Sequence, residues 1–220
     1  MKEKIKVVFA INDFSVGGAQ RLLLELYKSF NTEKFDWHLI TLLQFPDKWD
    51  YYDLLPEYIK VKKINFKSIK DLKSFYSLYK YLKVEKPDIV ISNLFFANTV
   101  FRILKVLLGY KVIVIKHNTN IYKGRAQTLI DILLNFVTTK IVAEAKTVKN
   151  FVMKKEKIKE KKIVIIPCVV NIEDTDRAKK NFDKNKILDE LNFTEKNKII
   201  INVARLTHQK NHKLLIDIIR

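Results

Sequence analysis

The sequence predicts an α/β protein built on a doubly wound parallel sheet with helices on both faces. Short runs rich in Val and Ile alternate with amphipathic helical segments about six times along the chain. The strand-like runs are almost continuously apolar, which is typical of parallel strands buried on both faces. With 220 residues, of which 48% are hydrophobic, the chain can bury a substantial core.

The predicted strands are apolar runs bounded by polar turns or by proline. Pro46, Pro56 and Pro167 mark breaks between them, because proline cannot donate a hydrogen bond to a neighbouring strand. The predicted strands are Lys4–Ile11, Phe35–Leu43, Val61–Ile64, Asp88–Ser92, Lys111–Lys116, Lys140–Ala143, Ile163–Ile166 and Lys198–Val203.

The predicted helices are segments in which apolar residues recur at helical spacing. One helix must stop before Pro87, and another ends at Gly109, a residue suited to a helix C-cap. The predicted helices are Gly18–Phe30, Leu72–Leu82, Phe95–Leu108, Ala126–Val137, Thr147–Lys154, an amphipathic piece with Ile187, Leu188 and Leu191, and Asn211–Arg220.

The composition changes near Asn171 and predicts two domains. Residues 1–170 form the first α/β domain, the polar and charged residues 171–185 form a linker, and residues 186–220 begin a second α/β domain. One strand and one helix cannot enclose a core. The sequence therefore predicts that the second domain is incomplete and that the chain stops within it.

The charge balance favours polyanionic partners. Lys and Arg number 42 and Asp and Glu 24, which gives a net charge of +18. Such a charge suits nucleic acid, anionic lipid or a phosphorylated substrate. The one cysteine, Cys168, excludes an intramolecular disulfide and a Cys-cluster zinc site. Because neither a signal peptide nor a run of about 18 apolar residues is seen, we expect a cytoplasmic protein, free or peripheral at the inner face of the membrane.

Gly17 and Gly18 lie between the first predicted strand and the first predicted helix. Glycines at this turn let a phosphate approach the backbone at the start of a helix. The alternative is a turn that needs glycine for steric reasons alone. The segment from Ser15 to Gln20 does not match GxGxxG, which disfavours a nicotinamide or flavin cofactor.

Three further residues are candidates for catalysis. His117 follows the strand Lys111–Lys116, where its imidazole could bond a sugar hydroxyl or transfer a proton. Arg205 and Lys210 flank a strand-to-helix turn and could clamp a diphosphate. The alternatives are a structural histidine and a solvated basic turn.

Two other patterns are weaker. His208 and His212 have the spacing of HExxH, but the glutamate is missing and Lys210 would repel a metal ion, so no metal site is predicted. Aromatic and basic residues interleave between Phe66 and Lys83. This pattern is more typical of an amphipathic helix, or of a basic surface on anionic lipid, than of base stacking. We therefore expect no nucleic-acid partner.

Four motifs, taken together, resemble the GT-B glycosyltransferases of family 4. They occur in the order of that family and cover the whole chain. The motif nearest the end, of the type GRL-x2-QKN, is the most specific. The four motifs are Gly17–Arg21 (GGAQR), His117-Asn118, Ile166–Asn171 (IPCVVN) and Ala204–Asn211 (ARLTHQKN).

The resemblance implies two Rossmann-like domains, the first binding an acceptor and the second a nucleotide-diphosphate sugar. It implies a metal-independent, retaining transfer that needs no cofactor, in which a hexose passes to a lipid-linked or cell-surface glycan. Arg205 and Lys210 would hold the donor diphosphate, Gly17 and Gly18 would meet the same phosphates, and His117 would position the sugar.

The sequence also departs from the family pattern. Cys168 and Val169 replace the usual Asn and Gly, and Ala145 stands where Ser is common. The family's acidic E-x7-E motif would lie beyond Arg220. We therefore expect a truncated chain with little activity of its own, lacking a C-terminal half or partner chain. The alternative is a non-catalytic acceptor- or membrane-binding module, or half of a split enzyme.

Overall fold

A computed structural model describes residues 3–45, 48–119, 123–168, 172–180, 182–194 and 196–219. The chain divides into two compact units, Met1–Val170 and Asn171–Arg220. The roles of these units as acceptor and donor domains stay a prediction.

A parallel sheet of seven strands forms the first unit, and it confirms the predicted fold class. The strands are β1 (Ile5–Ile11), β2 (Phe35–Thr41), β3 (Lys60–Lys63), β4 (Ile89–Asn93), β5 (Lys111–Lys116), β6 (Lys140–Ala143) and β7 (Ile163–Ile165). Their order across the sheet is β3-β2-β1-β4-β5-β6-β7. The order therefore reverses between β1 and β4, which is the topological switch point of a doubly wound sheet.

In the described part of the first unit, five α-helices cover the two faces of the sheet. They are α1 (Gly18–Lys28), α2 (Leu72–Glu85), α3 (Phe95–Leu108), α4 (Arg125–Leu134) and α5 (Lys146–Glu156). Because crossovers between parallel strands are right-handed, reversing the direction of strand addition moves later helices to the opposite face. Accordingly, α1 packs on Phe9 and Ile11, whereas α2 and α3 pack on Val8 and Ala10.

Helix ends follow local chemistry. Asp71 caps α2 by accepting a hydrogen bond from the Ser74 amide at 3.1 Å. Gly109 ends α3 with φ at +79°, a conformation that costs glycine little. The helix predicted over Thr147–Lys154 continues to Glu156, whose side chain is buried.

The second unit is described by itself. It contains α6 (Ile172–Lys180), α7 (Lys184–Glu190), a 3₁₀ turn (His208–Lys210) and α8 (His212–Ile219). The predicted linker is therefore helical over most of its described length. Basic residues in the last turn of α6 favour its helical form, because they offset the negative end of the helix dipole.

The predicted strand Lys198–Val203 is wrong. Residues 198–203 form neither helix nor strand, and Ile201 and Val203 are 79% and 92% exposed. A strand needs a hydrogen-bonded neighbour, and the described part of the second unit contains no other strand. Among the described residues of both units, no helix is long and apolar enough to cross a membrane.

Candidate functional site

The switch point brings together the loops that follow β1 and β4. Asn12, directly after β1, accepts a hydrogen bond from the Ala97 amide at 2.9 Å, which ties the start of α3 to this loop. Leu94, between β4 and α3, has φ 68° and ψ 158°. This region is nearly restricted to glycine and costs a leucine about 1–3 kcal/mol. Backbone strain is therefore stored directly beside the carboxyl end of β4.

The two glycines of the β1–α1 turn have different surroundings. A Cβ atom on Gly17 would lie 2.6 Å from Oε1 of Gln20. The Gln20 amide in turn donates to the Asp13 carbonyl at 3.3 Å. Apart from the adjoining residues and the backbone of α1 itself, no described atom lies within 4 Å of a Cβ placed on Gly18. The end of the flexible Gln20 side chain thus occupies the space beside Gly17, whereas the space beside Gly18 leaves room for a ligand at the start of α1.

A row of three hydrogen-bonded side chains runs along the carboxyl edge of the sheet. His117 follows β5, and its Nδ1 lies 2.5 Å from Oε1 of Glu144, which follows β6. Its Nε2 lies 3.1 Å from Oδ1 of Asn93, the last residue of β4. The strand order β4-β5-β6 produces this row, because parallel strands end at the same edge. We call it the Asn93–His117–Glu144 row.

The row fixes the orientation of the imidazole. An ionised Glu144 can only accept a hydrogen bond, so Nδ1 of His117 carries a proton. If Oδ1 of Asn93 faces Nε2, then Nε2 also carries a proton and donates it to this oxygen. If the Asn93 amide is rotated by 180°, Nε2 instead accepts a hydrogen bond from the amide nitrogen. In both arrangements Nε2 is the ring atom that can exchange Asn93 for a ligand hydroxyl.

Cys168 extends the row beyond β7. Cys168 is exposed, but partial desolvation of its sulfur, together with the hydrogen bond and negative charge of Glu144, raises the pKa of the thiol to about 11. The thiol is therefore neutral at pH 7 and donates its hydrogen to Glu144. The last three residues of the predicted motif Ile166–Asn171, which are Val169, Val170 and Asn171, lie outside the described residues.

We expect Cys168 to alkylate slowly at pH 7 and faster as the pH rises towards about 11, because only the thiolate reacts. Replacing Glu144 with glutamine removes the charge and should move the rate profile to lower pH. Iodoacetamide labelling, followed by intact mass spectrometry, measures the rate. A profile that Glu144→Gln leaves unchanged would contradict the contact between the two side chains.

A buried network of charges lies behind His117. Asp131 of α4 accepts from Lys116 at 2.8 Å and also pairs with Arg102 and Lys123. Lys116 and Lys123 both reach Oε1 of Glu156, at 3.1 and 2.7 Å. Lys116 and Lys123 stand at the two ends of the loop that carries His117. Two buried carboxylates therefore anchor this loop at both ends.

The network holds Asp131 in its ionised form. Burial opposes ionisation, but the charges of Lys116 and Arg102 and the hydrogen bonds from Lys116 and Lys123 outweigh it. The pKa of Asp131 therefore lies well below its usual range. All five members of the network are at most 13% exposed at their side chains.

Arg205 and Lys210 belong to the second unit, whereas the other predicted site residues belong to the first. Both are exposed, on either side of the turn that precedes α8. The ring of His212 holds this turn: Nε2 donates to the Arg205 carbonyl at 2.9 Å and Nδ1 accepts from Asn202 at 3.1 Å. His212 thus has a structural role within this unit. In the described part of the chain, no three His, Cys, Asp or Glu residues cluster as metal ligands.

The interleaved aromatic and basic residues of α2 pair with each other. Lys80 lies 5.2 Å from the ring centre of Tyr76, and Lys83 lies 5.9 Å from that of Tyr79. These cation–π contacts cover ring faces that would otherwise be available for stacking on bases.

Sequence reasoning identified His117 but missed Asn93 and Glu144. Each of them stands at or just after the end of a predicted strand, as His117 does. The strand ends alone could have identified them as neighbours, once the strand order was assumed. The charge network could not be predicted from the sequence in this way, because its five members come from three helices, one strand and one loop.

A doubly wound parallel sheet with a polar row at its carboxyl edge, beside the switch point, is the arrangement in which α/β proteins bind ligands. The chain belongs to Glycosyltransferase Family 4, whose family model matches residues 16–174. The resemblance drawn from the four motifs is therefore confirmed, and the family is one of enzymes.

Known relatives agree with this assignment. The chain is 28% identical over 218 residues to the UDP-Gal:alpha-D-GlcNAc-diphosphoundecaprenol alpha-1,3-galactosyltransferase of Escherichia coli, a match that covers 94% of this chain and 55% of that protein. HepE of Anabaena, solved with UDP and glucose, is 15% identical with a TM-score of 0.76. A glycosyltransferase of Rickettsia africae is 18% identical with a TM-score of 0.74.

Each of these two structures is matched over 98% of this chain and 57% of its own length. At such identities the likeness shows the fold. The chain spans about half the length of the relatives that it matches.

Proposed function

We propose that this chain forms the acceptor side and part of the donor side of a UDP-sugar-dependent glycosyltransferase. The enzyme would transfer a hexose, with retention at the anomeric carbon, to a lipid-linked or cell-surface glycan. The Asn93–His117–Glu144 row carries the proposal, because it holds an imidazole in one orientation at the edge where such sheets bind ligands.

On the donor side, Arg205 and Lys210 would hold the diphosphate, the first as a planar fork and the second as a point charge. The space beside Gly18 would admit the same phosphates at the start of α1. Charge that develops on the departing diphosphate would be neutralised by these cations. The transfer would then need neither a metal ion nor another cofactor. The UDP-Gal donor of the E. coli relative supports a uridine nucleotide.

On the acceptor side, we propose a glycan linked to a lipid through a diphosphate. The E. coli relative acts on such an acceptor, as its name states. The net charge of +18 also supports an anionic acceptor and a place at the inner face of the membrane.

Sugar transfer from radiolabelled UDP-galactose to GlcNAc-diphospho-lipid tests the proposal. Two polypeptides are compared: the 220-residue chain, and a chimera in which the unmatched remainder of the E. coli relative follows Arg220. We expect transfer by the chimera in the presence of EDTA and little by the 220-residue chain. In the chimera, Arg205→Ala should lower the rate about 100-fold, because a cation that stabilises the leaving group is lost.

The chimera's folding is checked by its thermal unfolding transition. A folded chimera that transfers no hexose from any UDP-sugar would contradict the proposed function. Loss of transfer on adding EDTA would contradict the metal-independent mechanism. A product with inverted anomeric configuration would contradict retention.

A second candidate is a non-catalytic acceptor-binding module, or half of a split enzyme. It is favoured by one observation: the seven-stranded sheet and the Asn93–His117–Glu144 row lie in one unit, whereas Arg205 and Lys210 lie in the other. In this case the 220-residue chain binds the acceptor lipid alone. Transfer would then require a separate donor-binding polypeptide, added in trans.

A further inference from the structure

A pocket of about 500 Å³ lies between α4 and α5, apart from the Asn93–His117–Glu144 row. Its volume is within the range of about 300–1,000 Å³ that is typical of small-molecule sites. No residue of the row lines it. The lining residues are Lys123, Arg125, Thr128, Leu129, Ile132, Phe151, Lys155 and Glu156. We call it the α4–α5 pocket.

The α4–α5 pocket has an apolar wall. Leu129 and Ile132 of α4 and Phe151 of α5 supply it. Leu129 is 57% exposed, although its side chain is fully apolar. An apolar group that packs here would remove this surface from water, which is favourable in proportion to the area covered.

The same pocket carries an excess of positive charge. Its cations are Lys123, Arg125 and Lys155, against one carboxylate, Glu156. Lys123 already pairs with Asp131 and Glu156. Among the residues that the structure describes, Arg125 and Lys155 form no ion pair or side-chain hydrogen bond, and both are exposed. Two cations are thus available to an anion beside the apolar wall.

Two groups at the pocket lack a side-chain partner among the described residues. Gly124 has no side chain that could cap α4, so no described side chain accepts a hydrogen bond from the amides of its first turn, which are then able to bind an anion. Glu156 is 2% exposed, and its Oε2 has no hydrogen-bond partner within the described part of the chain. Because this oxygen is buried, a ligand in the pocket does not contact it, and Lys123, 2.7 Å from Oε1, offsets the charge of the carboxylate.

We propose that the α4–α5 pocket binds a lipid phosphate. The phosphate or diphosphate lies between Arg125 and Lys155, and the first part of the hydrocarbon chain packs on Leu129, Ile132 and Phe151. This charge and apolar wall fit an amphiphilic anion better than a free phosphate, which has no apolar group, or a neutral amphiphile, which has no charge. The proposal rests on the proposed function for one point only, namely that this lipid is the acceptor's anchor.

Calorimetric titration of the 220-residue chain with dodecyl phosphate, below its critical micelle concentration, tests the site. Inorganic phosphate and dodecyl maltoside are the two comparison ligands. We expect dodecyl phosphate to bind at least about tenfold more tightly than either, because only it makes both kinds of contact. Equal binding of inorganic phosphate, or of dodecyl maltoside, would overturn the proposal.

Matched variants locate the bound ligand. Arg125→Gln with Lys155→Gln should weaken dodecyl phosphate binding about tenfold or more, whereas Lys146→Gln with Lys154→Gln, outside the pocket, makes the same change in net charge and should have little effect.

The apolar wall has its own pair of variants. Leu129→Asp should weaken binding, and Leu133→Asp should not, although Leu133 has a similar exposure of 58% on the same helix. Equal losses within either pair would overturn the site and indicate general attraction to the basic surface. None of these measurements uses a sugar donor, so their failure would leave the proposed function standing.

Discussion

Replacement of Asp131 by alanine is expected to lower the free energy of unfolding by about 3–5 kcal/mol, the cost of leaving buried charges uncompensated. The Arg102 side chain is completely buried and pairs with Asp131. Without the carboxylate, Arg102, Lys116 and Lys123 would face each other with Glu156 as the remaining anion of the network. The loop that carries His117 would lose an anchor at both ends.

Urea unfolding, followed by far-ultraviolet circular dichroism, measures this loss. Asp53→Ala is the matched control, because Asp53 is exposed in the same unit and should change stability by no more than about 0.5 kcal/mol. Asp131→Asn keeps the shape of the side chain and removes only its charge. If Asp131→Ala unfolds at the same urea concentration as the parent chain, the network does not exist as described.

The Asp131 network also predicts a dependence of stability on pH. The pKa of Asp131 is depressed in the folded chain, so its contribution is complete above the pKa of the unfolded chain, about 3.9. The contribution decreases as the pH falls from there through the folded-state pKa. The stability difference between the parent chain and Asp131→Asn should therefore be constant near pH 7 and shrink below about pH 4.

Most of the sheet could be predicted because each parallel strand is an apolar run between polar turns. β5 and β6 were predicted to the residue for that reason. The same signal failed at residues 198–203, where an apolar run has no neighbouring strand in the described part of its unit. An apolar run thus indicates a strand only where the fold supplies a hydrogen-bonding partner.

The site was less predictable than the sheet. His117 was predicted because an imidazole directly after a strand can bind a hydroxyl or transfer a proton, whereas Asn93 and Glu144 resemble ordinary residues of polar turns. The sequence also could not separate Gly17 from Gly18. Their difference depends on where the Gln20 side chain lies, which tertiary packing decides. The strained backbone at Leu94 could not be predicted either, because a leucine gives no sequence signal for this conformation.

Replacing His117 with alanine is expected to reduce sugar transfer by the chimera about 100-fold, the usual cost of losing one fixed hydrogen-bonding group in a site. The physical reason is that Glu144 fixes the orientation of the imidazole by its hydrogen bond to Nδ1. This orientation places Nε2 where it can bind the sugar. If His117 contacts the sugar only as it reacts, the loss appears in kcat rather than in KM. His117→Gln, which retains a donor at a similar reach, should recover part of the rate.

Glu144 is expected to act on transfer through His117. Glu144→Gln keeps a hydrogen-bond acceptor for Nδ1 but replaces a charged partner with a neutral one, which weakens the bond that orients the ring. The rate should fall by about tenfold, less than for His117→Ala. In the double variant the losses should not add, because Glu144 has no imidazole left to orient. Additive losses would contradict the prediction, because they would mean that Glu144 does not act through His117.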